Sequence, residues 1–115
     1  MYRLFVSICW LVFAPIAFAD GDANRGEALT GTCVACHGTD GNSLVGSFPN
    51  IAGQNASYLY KQLVEIQSGE RSAVLMTGIL DGMSEQDLAD LSAFYEAQPA
   101  ATSAADPELA ALGES

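Results

Sequence analysis

Hydrophobic and polar positions divide the chain into three regimes. Residues 1–19 are almost wholly apolar, residues 22–98 alternate short periodic segments with Gly- and Asn-rich stretches, and residues 100–115 are dominated by Ala, Ser and Thr with scattered acids. The first regime has the layout of a secretory signal: Arg3 near the start, an apolar run over 4–13, then the small-x-small triplet Ala17-Phe18-Ala19. Cleavage before Asp20 is expected. A membrane anchor needs about 20 apolar residues, and Pro15 interrupts a run that is already short.

The second regime predicts helices and no strands. Residues 22–29 read as a first helix, with Asp22 as N-cap and Gly26 permitting close approach of another helix. Residues 57–68 form a second, with Leu59, Leu63 and Ile66 at helical spacing, Tyr60 and Val64 widening the stripe, and Gly69 as the stop. Residues 74–80 suggest a short helical turn closed by Gly82. Ser84 begins the last helix, because Asp87 stands where a capping box needs its acid and Met83 and Leu88 occupy hydrophobic-staple positions. Leu88, Leu91 and Tyr95 mark its buried face to about Gln98, and Pro99 ends it. Between the first two helices, residues 38–54 are rich in Gly, Ser, Asn and Pro, which predicts a long loop. A loop of that length in so small a domain must pack against something. The expected fold is all-α, and three short helices bury too little surface by themselves, so a large apolar cofactor would complete the core. From residue 100 onward the composition predicts a linker, although Pro107 could open another helix.

Composition sharpens this picture in two ways. The formal net charge is −10, and loss of the signal leaves three basic against fourteen acidic side chains, which argues against nucleic acid and anionic membrane surfaces and favours a partner with a basic patch. Signal cleavage also removes Cys9, so the exported chain keeps only Cys33 and Cys36.

Those two cysteines stand in Cys33-Val34-Ala35-Cys36-His37, the C-x-x-C-H pattern of haem c attachment. Two intervening residues in a helical turn place both sulfurs on one side of the chain near the two haem vinyl groups, and the adjacent imidazole is directed at the iron. His37 is the chain's only histidine. A thioredoxin-like redox pair would require a βαβ pattern that is missing here. Structural zinc would need a fourth ligand. A structural disulfide is compatible with export but assigns nothing to His37. Given a haem, a thioether is the expected second axial ligand. Met76 fits, lying where no helical stripe requires it, whereas Met83 is occupied as a staple.

Residues 33–43, with the following Pro49-Asn50-Ile51-Ala52-Gly53-Gln54 and the segment from Arg71 to Met76, resemble the class I c-type cytochromes over almost the whole exported chain. The resemblance implies a small cytochrome c fold of three to four short helices around one covalently bound haem. It also implies a hydrogen bond from the second nitrogen of His37 to the Pro49 carbonyl. Arg71 would lie near a haem propionate or remain an exposed residue at a helix end. More narrowly, the loop, the stretch from Tyr58 to Arg71 and the helix from Leu88 to Tyr95 are similar to the first domain of cytochrome c₄, a two-haem periplasmic protein. Residues 105–115 look like that family's interdomain linker and the opening of its second domain. Gly113-Glu114-Ser115 echoes Gly26-Glu27-Ala28, as an internal repeat would. The chain holds no second C-x-x-C-H, so one haem is expected.

These readings predict a signal over 1–19, a cytochrome c domain over 20–99, and a linker or the start of a second domain over 100–115. The expected function is periplasmic electron transfer without enzymatic turnover. Haem c would be attached at Cys33 and Cys36, with His37 and Met76 on the iron. Expected partners are redox proteins such as membrane respiratory complexes with basic docking patches, with no nucleic acid and no stable membrane insertion after cleavage. Two other functions share the same residues: the haem subunit of a larger dehydrogenase, and a gas-binding haem protein in which Met76 is off the iron.

Overall fold

The computed structural model describes residues 20–102. The expected signal over 1–19, and the tail from Ser103 onward with most of the proposed linker and the repeat, lie outside the described residues. Four helices and two 3₁₀ turns are present, and there are no strands among the described residues: α1 (Ala23–Ala28), a 3₁₀ turn (Thr30–Thr32), α2 (Val34–His37), α3 (Ala56–Ser68), a 3₁₀ turn (Val74–Met76) and α4 (Glu85–Glu96).

The starts of α1, α3 and α4 are each marked by a side chain that accepts orphan backbone donors. Asp22 caps α1 by accepting from the backbone N–H groups of Asn24 and Arg25, and Asn55 caps α3 by accepting from Tyr58. At α4 the capping box is complete, since Ser84 accepts from the Asp87 N–H at 3.1 Å and Asp87 accepts from the Ser84 N–H at 3.0 Å. α3 therefore begins one residue before the expected start. α4 stops at Glu96, short of Gln98, where the Ala97 N–H turns back to Ala93 and Tyr95 carbonyls. The expected turn over 74–80 is only three residues long and of the tighter 3₁₀ type.

α1 and α3 both pack on α4. The crossing of α1 over α4 is backbone-close: a Cβ placed on Gly26 would lie 2.0 Å from the Asp90 carbonyl oxygen. Beside the crossing, the fully buried Asp90 accepts on Oδ1 from the Asp22 N–H at 2.7 Å and from Gln86 Nε2 at 2.9 Å, and its Oδ2 faces the Arg25 guanidinium at 3.0 Å. The Asp22 N–H bond, followed by the Gln86 and Arg25 contacts, holds the Asp90 carboxyl below the usual carboxylate range against the opposing effect of burial. The core is Leu59, Leu91, Phe94 and Tyr95, with the last two rings edge-to-face at 5.1 Å. Leu29, Cys33, Ile51, Leu63 and Met83 pack around it. The long loop finds its partner here. Ile51 joins this rim, the Gly53 N–H donates to the Tyr95 carbonyl at 2.8 Å, and Ile51 and Ala52 N–H groups both donate to the Gly41 carbonyl.

Candidate haem site

Cys33, Cys36 and His37 are brought together by a single helical turn. The Cys33 carbonyl accepts from the Cys36 and His37 N–H groups at 3.3 and 3.0 Å, which closes α2 over the motif. Neither cysteine is in a disulfide, and both are half-buried. His37 is buried, and its Nδ1 lies 2.8 Å from the Pro49 carbonyl oxygen, the contact that the family resemblance implies. A carbonyl can only accept, so Nδ1 donates this bond, and in the neutral ring Nε2 is the nitrogen with the lone pair.

The loop around this turn is tightly wound. Gly41 has φ +84°, and a Cβ there would meet Tyr95 Cδ1 at 2.8 Å and the Ala52 nitrogen at 2.9 Å. Asn42 is the hub. It donates from Nδ2 to Asp40 at 2.9 Å and to the Pro99 carbonyl at 3.0 Å, and its Oδ1 accepts from the Ala101 N–H at 2.7 Å. The Asn42 side chain, chiefly, holds the Asp40 carboxyl below its ordinary value. The chain leaving α4 is thus tied to the haem loop as far as Ala101, two residues beyond the expected domain limit at Pro99.

Met76 lies on the separate connection between α3 and α4, half-buried, at the wall of a recess of about 360 Å³ that Gln67, Ala73 and Leu80 also line. Met83 packs against the core of Leu59, Leu91, Phe94 and Tyr95. Arg71 is exposed, its backbone N–H on the Glu65 carbonyl and its guanidinium on Gln62.

Three features fit a large apolar group with a ligated metal. First, His37 is a buried imidazole whose ring is oriented by the bond from Nδ1 to Pro49, leaving Nε2 as the nitrogen available to a metal. Second, Leu44, Val45, Val74 and Leu75, on the segments flanking the motif and Met76, are 52–96% exposed, apolar surface that a bound ring system would cover. Third, the Tyr95 phenol oxygen is buried without a hydrogen-bond partner, and burial, with the neighbouring Cys33 thiol, raises its pKa. Tyr95 was legible in the sequence as a core residue, but nothing in the periodicity marked its hydroxyl as lying beside Cys33. The bonds of Asn42 to Pro99 and Ala101 and those of Gln67 likewise carried no sequence signal, because these partners are distant along the chain.

This combination of a helical C-x-x-C-H turn, a proton-fixed imidazole and an all-α frame defines a protein with covalently bound haem c. The family model for cytochrome c matches residues 23–97, and the chain belongs to that family. Cytochrome c₄ of Pseudomonas aeruginosa is 45% identical over 115 residues, covering 99% of this chain and 57% of the relative. Cytochrome c-554(548) of Halomonas halodenitrificans is 47% identical over 81 residues, covering 68% of this chain and 98% of the relative. The crystal structure of reduced recombinant cytochrome c₄ from Pseudomonas stutzeri superposes with a TM-score of 0.77 at 44% identity, covering 82% of this chain and 54% of that one. The chain therefore spans little more than half the length of the cytochrome c₄ relatives it matches. Among the described residues no helix is long and apolar enough to cross a membrane.

Proposed function

We propose that the chain is a periplasmic one-electron carrier with a single haem c, attached through Cys33 and Cys36 and ligated by His37 and Met76, that passes electrons between redox proteins without transforming a substrate. The observation that carries this reading is the 2.8 Å bond from His37 Nδ1 to the Pro49 carbonyl, since it fixes the tautomer and aims Nε2 as a ligand. Bound haem c supplies a one-electron couple at its iron. The chain's own residues hold that group in place in both oxidation states. Cys33 and Cys36 would hold the group through thioether links to its two vinyl substituents. His37 is kept buried and oriented, and a thioether at Met76 would favour the ferrous state and close the metal to added ligands.

Surface charge supports a basic partner. Arg25 pairs with Asp90 and Asp87, Lys61 lies 2.9 Å from Glu65, and Arg71 is engaged by Gln62, so most of the acidic side chains are left uncompensated. Membrane respiratory complexes with basic docking patches are the partner class this suits. Export follows from the signal-like residues 1–19, with 20–99 as the haem domain and 100–115 as the linker or the start of a further domain.

The test is a mass and spectrum of exported protein. The mass should exceed that of the polypeptide lacking residues 1–19 by one haem that acidified organic solvent does not extract, and the reduced spectrum should not change under carbon monoxide. A freely extracted haem, or ready carbon monoxide binding, overturns the reading.

A further inference from the structure

We propose that Gln67 is the positioning residue for Met76. Its amide would brace the connection between α3 and α4 and so set the fraction of molecules in which the thioether stays on the iron. The inference rests on the reading of Met76 as the axial ligand.

Residues 69–84 contain no regular element except the turn Val74–Met76. Most of their backbone hydrogen bonds are local, each reaching back three residues: Met76 to Ala73 at 2.8 Å, Thr77 to Val74 at 3.3 Å, Ile79 to Met76 at 3.0 Å, Asp81 to Gly78 at 3.3 Å and Met83 to Leu80 at 3.2 Å. Bonds of this kind shape a segment without fixing it to the rest of the domain. Its opening end is held by the Arg71 N–H on the Glu65 carbonyl at 2.9 Å. Past Met76, the polar attachment to α3 is Gln67, whose Nε2 donates to the Leu80 carbonyl at 2.8 Å and to the Met83 carbonyl at 2.8 Å. Both protons of one amide nitrogen are thereby used on carbonyls 13 and 16 residues further along the chain, and Leu80, four positions beyond Met76, is buried beneath them.

Met76 itself is half-buried and borders the recess of about 360 Å³, with Gln67 in the same wall. A thioether is a neutral ligand whose hold on iron depends on the segment delivering it. Losing the brace leaves two part-buried carbonyls to find water and frees the segment between Arg71 and Leu80. Two net hydrogen bonds correspond to a rise of roughly ten- to a hundredfold in the equilibrium constant for Met76 leaving the iron.

The experiment compares the holoprotein with Gln67→Leu, which has no donor, Gln67→Asn, whose shorter amide cannot span both carbonyls, and Met76→Ala. Carbon monoxide binding to the reduced protein and the reduction potential are read well below the unfolding midpoint, and the midpoint is measured separately. Both Gln67 variants should gain carbon monoxide binding and lose potential in the direction of Met76→Ala, with the parent unaffected. Gln67 variants that match the parent in both readouts while Met76→Ala responds would overturn the role of Gln67, even if their midpoints fall. A Met76→Ala protein that behaves like the parent would instead overturn the ligand reading on which the inference rests. Should Gln67→Leu fail to accumulate with haem, Gln67→Asn decides alone.

Discussion

Replacing Gly26 with Ala puts one methyl group at the α1–α4 crossing and should unfold the domain at a markedly lower temperature. The added carbon would sit 2.0 Å from the Asp90 carbonyl oxygen, 2.6 Å from its carbon and 2.9 Å from Phe94 Cβ. Two of these atoms are backbone, so no rotamer change relieves the contact, and the helices must separate by about 1 Å to reach normal carbon–oxygen distance. Separation stretches the 2.7 Å bond from Asp22 to Asp90 and the 3.0 Å Arg25–Asp90 contact, which span the same crossing. Ala gains up to about 1 kcal/mol of helix propensity over Gly. Overpacking costs about 1–3 kcal/mol and sometimes more, and the strained polar contacts add to it. A net loss of about 2 kcal/mol corresponds to a fall of about 8–16 °C for a domain of this size. Gly31→Ala is the control, because no atom lies within 4 Å of its would-be Cβ, and it should stay within about 0.5 kcal/mol of the parent. Thermal unfolding of the holoproteins by far-ultraviolet circular dichroism measures both. A Gly26→Ala protein as stable as the parent would refute the close crossing as a constraint on the fold.

Four further outcomes are expected. Met76→Ala should open the iron to carbon monoxide and lower the reduction potential, whereas Met83→Leu, a near volume-conserving swap at a core contact, should leave both unchanged and cost under about 1.5 kcal/mol. The folded-state pKa of Asp90 is depressed, so its contribution is present above the unfolded carboxyl value near about 3.9 and lost as pH falls through the folded value. Asp90→Asn should therefore flatten the acid limb of a stability–pH curve, and an unchanged limb would count against the assignment. Electron transfer to a basic partner should slow as salt rises, because exposed charges are screened beyond about 8 Å at physiological ionic strength; stopped-flow rates indifferent to salt would indicate apolar docking. Asn42→Ala removes the acceptor of the Ala101 N–H and should speed exchange of that amide by roughly tenfold, read by hydrogen-exchange NMR.

Much of the fold was determined by the sequence alone, and the reason is that its signals are local. Asp22, Ser84 with Asp87, and Gly69 act on backbone groups within one turn of themselves, so the helix limits they announce lie within one or two residues of those found. The C-x-x-C-H spacing is likewise local, since a single helical turn places both sulfurs and the imidazole. Even the close approach at Gly26 was announced, because a residue without a side chain inside a capped helix has few other uses. Tertiary structure alone decided what each local unit meets. The pairing of Asp22 with Asp90, of Asn42 with Ala101, and of Gln67 with Leu80 and Met83 joins residues 68, 59, 13 and 16 positions apart, and no periodicity encodes a partner at such a distance. Polar side chains such as Asn42 and Gln67 are indistinguishable in sequence from solvated ones. Only once apolar burial has set the helices in place does an unsatisfied carbonyl appear within their reach, and the hydrogen bond then follows from the cost of leaving it unmade.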